Sequence, residues 1–207
     1  MIKLLGKVPD TVYVACSGGS DSMAALAFLM NSRRKVKVAH FDHGTAHAEK
    51  AQNFVVDYCK KNNIEYVLGT VTRKRKPTES REEFWRNERY DFFKTLDAPV
   101  VTAHHLGDVA EWWVFSSLHG EAKLTPYKNG SVIRPFLMAT KQDLLQWCNR
   151  YKVPFVKDPS NKNLAYMRNL IRHRIMPQCL KVNPGLNKVL VKKIQEAYKS
   201  NDSEVSL

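Results

Sequence analysis

The stretch "VACSGGSDSMAAL", residues 14–26, is an apolar run that breaks into two glycines, then serines and one aspartate, before apolar residues resume. Upstream, TVYVAC (11–16) is rich in β-formers, and downstream Met23, Leu26, Ala27 and Met30 recur at helical spacing over residues 20–31. The stretch therefore reads as a strand, a Ser17-Gly18-Gly19-Ser20-Asp21-Ser22 turn and a helix. Glycines let backbone pass close to a ligand, exposed amides at a helix N-terminus attract anions, and serine hydroxyls add donors, so the turn suits phosphate. It is neither GxxxxGK(S/T), which would place a lysine on the phosphates, nor GxGxxG. The blander alternative is a tight strand-to-helix connection with Asp21 opening the helix.

The same alternation continues outward. KVKVAHF (35–41) is a second strand, and AHAEKAQNFVVDYCKKN (46–62) is a helix with Ala51, Phe54, Val55 and Tyr58 on one face. IEYVLGTV (64–71) is a third strand, residues 79–95 a third helix and PVVTA (99–103) a fourth strand. Strands alternating with helices of this length imply βαβ crossovers, so the expected fold is α/β, a doubly wound, mostly parallel Rossmann-like sheet. Ligands of such sheets bind at the carboxyl ends of the strands, near the point where strand order reverses. Beyond residue 120 the pattern changes. Residues 120–136 read as a loop or hairpin around Asn129-Gly130, 141–151 as a helix capped by Thr140, and DPSNKN (158–163) as a polar loop. Residues 164–176 read as a helix ended by Pro177, and 185–199 as a last helix before a frayed tail. The expected organisation is a catalytic domain over 1–181 followed by a C-terminal helix and tail over 182–207.

Thirty-three Lys and Arg against 20 Asp and Glu give a net charge of +13 in 207 residues. That excess favours a polyanionic partner such as nucleic acid. No apolar run approaches the roughly 18 residues of a membrane span, and MIKLLGKVPD has no signal-peptide core. A soluble, cytoplasmic protein with no membrane partner is expected. Cys16, Cys59, Cys148 and Cys179 lie far apart without a CxxC, which excludes a disulfide framework or cysteine-ligated metal and leaves them as small, partly buried apolar residues.

Further motifs stand in a fixed order: HFDHG (40–44) ends the second strand, and EFWRNERY (83–90) lies in the third helix. HHLGDVAE (104–111) follows the fourth strand, Arg134-Pro135 comes next, and DPSN (158–161) precedes RNLIRHRIMP (168–177). The SGGxDS turn resembles the pyrophosphate loop of the N-type ATP pyrophosphatases. The remaining motifs are similar to the DH, ExxRxxRY, HHxDDQxE, RP and DxSN…RNxIRxxxxP segments of the tRNA(Ile)-lysidine synthases. The resemblance spans about residues 11–177 and implies the N-type ATP pyrophosphatase fold with a helical C-terminal extension.

The reaction the resemblance implies uses ATP, Mg²⁺, a tRNA(Ile) with a CAU anticodon and free lysine. The C2 carbonyl oxygen of the first anticodon cytidine takes AMP from ATP, and lysine then displaces AMP to leave lysidine. Ser17, Gly18, Gly19, Ser20, Asp21 and Ser22 would receive the β and γ phosphates. Asp21, repelled by phosphate unless a cation intervenes, is the expected Mg²⁺ ligand. Asp42 and His43 would contact adenosine or support the metal. Arg86 and Arg89, three apart on a helix, would clamp the triphosphate. The alternative is a Glu83–Arg86 surface pair, with Trp85 and Tyr90 in the core. His104 and His105 would face the nucleotide; adjacent on an extended strand end, they point to opposite sides and suit no shared metal. Asp108 and Glu111 share a helix face, and carboxylates without a neighbouring cation suit the ammonium of free lysine. Arg134, Arg168, Asn169, Arg172 and Arg174, with Arg73, Lys74 and Arg75 of RKRKP, are expected to meet tRNA. A homodimer is left open. This chain departs from the family at Gly107, where the first of two aspartates is usual, and at Val109, which replaces glutamine. Trp112 and Trp113 should diverge, one in the core and one exposed and able to stack on a base. The rival readings are a tRNA thiolase, against which the scattered cysteines speak, an enzyme using another amine, and a non-catalytic tRNA-binding homologue motivated by Gly107.

Overall fold

The computed structural model describes residues 2–45, 48–157 and 163–204, with side chains as far as Lys199. Strands β1 (Thr11–Ala15), β2 (Lys35–Asp42), β3 (Tyr66–Thr70), β4 (Val100–Val101), β5 (Lys128–Asn129) and β6 (Val132–Ile133) form one sheet in the order β3-β2-β1-β4-β6-β5. Every pairing is parallel except β5 with β6, the hairpin around Asn129-Gly130. The chain winds outward from β1 through β2 to β3, then returns to add β4 on the other side of β1. Strand order therefore reverses between β1 and β4, whose carboxyl ends carry the glycine turn and the histidine pair.

Strand periodicity explains the layers. Val12 and Val14 point to one face of β1 and the intervening Tyr13 to the other, and the pairs Val38/Ala39, Val101/Val100 and Ile133/Val132 divide the same way. The first face is covered by α1 (Ser20–Met30), α2 (Ala48–Lys61) and α5 (Lys141–Arg150), through Met23, Leu26, Val55, Cys59 and Leu144. The second is covered by α3 (Arg81–Lys94), which buries Phe93. Cys16, Cys59 and Cys148 are buried free thiols, as expected of small apolar residues. A third cluster joins α4 (Leu106–Leu118) to the C-terminal helices, with Val109, Ala110, Ile171 and Leu190 in its centre.

Several boundaries differ from the sequence reading. Strand β4 keeps two residues rather than five, because the chain leaves the sheet so that His105 can cap α4. Pro177 does not end a helix. The run Met167–Leu170 (α6) widens to π-helical turns over Ile171–Ile175 and continues as α7 (Met176–Val182). Pro177 sits in the first turn of α7, where its missing N–H is least needed. Helix α8 runs Leu186–Glu204, past the expected end at 199. Leu190 and Ile194 of α8 are buried against α4, each worth about 1.5–3 kcal/mol, which is enough to hold this helix to the domain. No described helix is long and apolar enough to cross a membrane.

Candidate active site

The glycine turn after β1 is shaped from within. Gly18 adopts φ +79°, and a Cβ there would come within 3.1 Å of Val156 and 3.3 Å of Phe54, so only glycine fits without strain. Its carbonyl accepts a bond from the Val156 amide at 2.9 Å. Ser22 is buried, accepts from the Ser17 amide at 3.1 Å and donates to the Gly19 carbonyl at 3.0 Å. Its hydroxyl therefore braces the loop rather than facing a phosphate, a correction to the sequence reading. Gly19 is the N-cap of α1 and has no side chain to cap it, and among the described residues no side chain bonds the amides of the first turn, which suits an anion there.

The aspartate of the turn has a cation after all. Lys141, the first residue of α5, donates to both carboxylate oxygens of Asp21 at 2.6 and 2.7 Å and to Ser20 Oγ at 3.0 Å. Sequence reasoning missed this residue, 120 positions away. One signal was present: a lysine at the start of a helix is disfavoured by the helix dipole, so its presence there called for a reason. On the other side of Asp21 stands His105, with Nε2 at 3.9 Å. His105 Nδ1 accepts from the Gly107 amide at 3.0 Å and so caps α4, while Asp108 accepts from the His105 amide at 2.8 Å. A Cβ at Gly107 would lie 2.8 Å from the His105 ring. Gly107 is therefore the condition for this histidine to fold over the helix end.

Beside this loop, at the ends of β2 and β4, lies a basin of nitrogen groups. Arg89 has no hydrogen-bond acceptor or carboxylate partner among the described residues, and its guanidinium lies 5.9 Å from the Tyr90 ring. Burial pulls its pKa down, and the guanidiniums of Arg168, Arg86 and Arg134 add to that. Arg134 Nε, His43 Nδ1 and His40 Nε2 are buried without hydrogen-bond partners among the described residues. Burial and the nearby Arg89 hold His43 at about 4. Burial, with Arg168, Arg134 and Arg89 outweighing Asp108, holds His104 at about 3. Both rings are neutral at physiological pH. Asp42 accepts from the Gly44 amide at 2.6 Å, which shapes the turn that brings His43 inward against Phe41 and Trp85. Arg86 is exposed and lies over the Tyr90 ring at 5.5 Å. Of the residues expected to clamp phosphate, only Arg89 is enclosed.

The carboxylate pair on α4 is differently placed. Arg172 donates to Glu111 at 2.6 and 3.0 Å and to Asp108 at 3.2 Å. Arg168 donates to Glu111 at 3.1 Å and also to Asp108. Burial raises the Asp108 pKa, but Arg168 and the two histidines outweigh it and hold the carboxyl well below the usual range. The expectation of carboxylates without a neighbouring cation is thus overturned, and the assignment of Asp108 and Glu111 to free lysine is left to the family resemblance alone. The same network ties Arg168 and Arg172, expected among the RNA contacts, to α4, although the Arg168 side chain stays half exposed.

Other expected RNA contacts are also committed elsewhere. Arg134 is buried and donates to the Pro126 carbonyl at 2.8 Å and to Tyr90 Oη at 2.7 Å. Asn169 is buried and donates to the Asn163 carbonyl at 2.9 Å. Arg73 pairs with Glu79 and Glu88 at 2.9 Å, and Arg75 donates to the Glu79 carbonyl at 2.5 Å. Lys74 and Arg174 are exposed. Trp112 is exposed and stacks on Phe115, whereas Trp113 is half-buried under Lys193, as the helical spacing required. DPSN lies outside the described residues.

Among the described residues the site thus offers a glycine turn whose helix-end amides have no side-chain acceptor, a lysine and an aspartate in contact, and an enclosed arginine without a counter-anion. This set suits a polyphosphate. Among the described residues no cluster of three or more His, Cys, Asp or Glu is arranged to hold a metal. A Mg²⁺ ion held by one carboxylate and substrate phosphates needs no such cage, and Asp21 offers hard oxygen ligands of that kind.

Comparison with known proteins agrees with this geometry. Residues 3–179 match the family model described as the PP-loop domain. A tRNA(Ile)-lysidine synthase of Lactiplantibacillus plantarum is 32% identical over 86% of this chain and 44% of its own length. One from Thermosipho africanus is 31% identical over 91% of this chain and 48% of its own. The chain spans less than half the length of these relatives. Among solved structures, the U34-tRNA thiolase NcsA from Methanococcus maripaludis superposes with a TM-score of 0.72 over 93% of this chain and 74% of its own, at 18% identity, which speaks for the fold alone.

Proposed function

The chain belongs to the PP-loop domain family, and on that premise we propose that it modifies tRNA by adenylating a base carbonyl with ATP. The finer reading is that the C2 oxygen of the first anticodon cytidine of a tRNA(Ile) with a CAU anticodon attacks the α phosphate. A C2–O–P bond forms, the bond from the α phosphorus to the bridging oxygen breaks, and pyrophosphate leaves. The ε-amine of free lysine then attacks C2, a C–N bond forms, AMP departs and the amine loses a proton.

Adenylyl transfer asks a protein for alignment and charge neutralisation more than for covalent help. The observation that carries this reading is Arg89, enclosed at the ends of β2 and β4 with no carboxylate partner among the described residues. A guanidinium left unpaired in a low-dielectric site costs stability, and an arriving phosphate offsets that cost. The α1 amides would hold the leaving pyrophosphate while Arg89 meets charge on the transferred phosphate. Asp21 would hold Mg²⁺, which supplies charge neutralisation on the phosphates. His43 and His104, kept neutral, can donate hydrogen bonds without adding repulsion to Arg89. Names of the curated relatives support tRNA and lysine as substrates.

The test is to incubate the protein with α-labelled ATP, tRNA carrying a CAU anticodon, and lysine. AMP release that requires both tRNA and lysine, with a lysine-dependent mass gain at one cytidine, supports the reading. AMP release indifferent to lysine points to another nucleophile, and no cleavage of ATP to a tRNA-binding homologue.

A further inference from the structure

Lys141 has an ammonium that leaves its own helix. Thr140 and Asp143 already close the capping box of α5, so Lys141 is not needed there. Nor does its ion pair dock α5 on the loop. Leu144 is fully buried in the core, and Cys148 Sγ donates to the Ser20 carbonyl at 3.5 Å. The side chain is half exposed, and among the described residues its hydrogen bonds go to Ser20 and Asp21, the first two residues of α1.

We propose that Lys141 is the phosphate-binding lysine of this loop, supplied by α5, and that it passes from Asp21 to oxygens of the β and γ phosphates when polyphosphate binds. The inference rests on the ATP pyrophosphatase reading above. In the free protein, Lys141 and Asp21 neutralise each other. A polyphosphate entering the loop repels Asp21 and attracts Lys141, and an ammonium on a flexible four-carbon stem can follow the stronger charge. Ser20 Oγ already touches Nζ, so the path along the loop is short. The released Asp21 carboxylate is then free for a divalent cation entering with the phosphates. The ion pair is a placeholder in which each partner waits for the opposite charge brought by the ligand.

Calorimetric titration of the full chain with inorganic pyrophosphate, with and without Mg²⁺, tests this. Lys141→Met should weaken pyrophosphate binding about tenfold or more, as loss of a charge-assisted hydrogen bond does, and Lys141→Arg should retain most of it. Asp21→Asn should tighten metal-free binding, because the lysine is released, and should abolish the gain from Mg²⁺. That tightening should vanish in the double variant Asp21→Asn/Lys141→Met. A lysine that merely fastens α5 would produce neither the tightening nor its loss. If the wild type binds pyrophosphate and Lys141→Met binds it equally well, or Asp21→Asn fails to tighten metal-free binding, the inference is overturned alone. If the wild type binds neither ATP nor pyrophosphate, the pyrophosphatase reading falls and takes the inference with it.

Discussion

Two adjoining groups of charge lie beyond the end of β4, and they are solved in opposite ways. On α4, Asp108 and Glu111 meet Arg168 and Arg172 in a closed network in which two carboxylates face two guanidiniums. In the basin at the ends of β2 and β4, Arg89, Arg134 and two neutral histidines crowd together with no carboxylate bonded to Arg89 or Arg134 among the described residues. The first group has its countercharges in the chain and so reads as scaffold, fixing the α6 segment to α4. The second leaves its charge for something else to complete.

Breaking each group should therefore give opposite results. Arg172→Met leaves Glu111, which is almost fully buried, short of its main partner. Breaking one side of a buried pair costs about 3–5 kcal/mol, and the partial exposure of Arg172 places this case at the lower end. Chemical denaturation should read that loss, with any fall in activity following the folded fraction. Arg89→Met should behave the other way. The unfolding free energy holds or rises, because a desolvated charge is removed, while the ATP-dependent rate falls about 10²-fold or more. Equal destabilisation by the two substitutions would erase the distinction between scaffold and site.

Gly107 tests the boundary between the groups, since it lies between His105 and Asp108. Gly107→Asp restores the residue usual in the family but drives a Cβ into the His105 ring. Overpacking of this kind costs about 1–3 kcal/mol. The ring must leave its cap and its approach to Asp21, so thermal stability should fall while a ligand that binds the loop recovers part of it. A neutral outcome would mean that His105 is not held as described.

The fold was legible because strand and helix periods alternate and because a glycine turn after β1 admits few uses. The basin was half legible: the residues of EFWRNERY and HHLGDVAE stood out, but their spacing could not say that Arg89 is enclosed and Arg86 exposed. What failed were contacts across long stretches of chain. Asp108 and Glu111 looked vacant because their partners lie about 60 residues on, in a segment whose packing against α4 no local pattern records. Arg134 and Asn169 looked like surface cations and donors because their burial is set by tertiary packing, Arg134 against Pro126 and Tyr90 of α3, which no local pattern records. Lys141 left only the faint signal of a cation at a helix start, its contact being fixed by how α5 lies on α1.

The basin's histidines offer a pH test of the comparison. His43 sits near 4 and His104 near 3 in the folded protein, against about 6.5 for an unperturbed ring, so the unfolded chain binds protons that the folded protein refuses. Their contribution to stability is whole above about pH 6.5 and is lost as pH falls toward about 4 for His43 and about 3 for His104. The paired carboxylate Asp108, with its pKa held low, gives way only at more acid pH. Replacing His43 and His104 with glutamine should flatten the decline between pH 6.5 and about 3 in thermal unfolding, without altering the loss at more acid pH.

The smallest effect concerns RKRKP, where the same division recurs within one loop. Arg73 is paired with Glu79 and Glu88, whereas the neighbouring Lys74 is exposed. If free charge marks contact with the polyanion and paired charge marks scaffold, Lys74→Ala should weaken tRNA binding slightly and lower the slope of log affinity against log salt by about 0.7–0.9, the release of one counterion. Arg73→Met should leave that slope unchanged and instead loosen the loop, measured as faster proteolysis after residue 72. A salt slope that responds to Arg73 and not to Lys74 would reverse the assignment, and a response from neither would place the tRNA on another face.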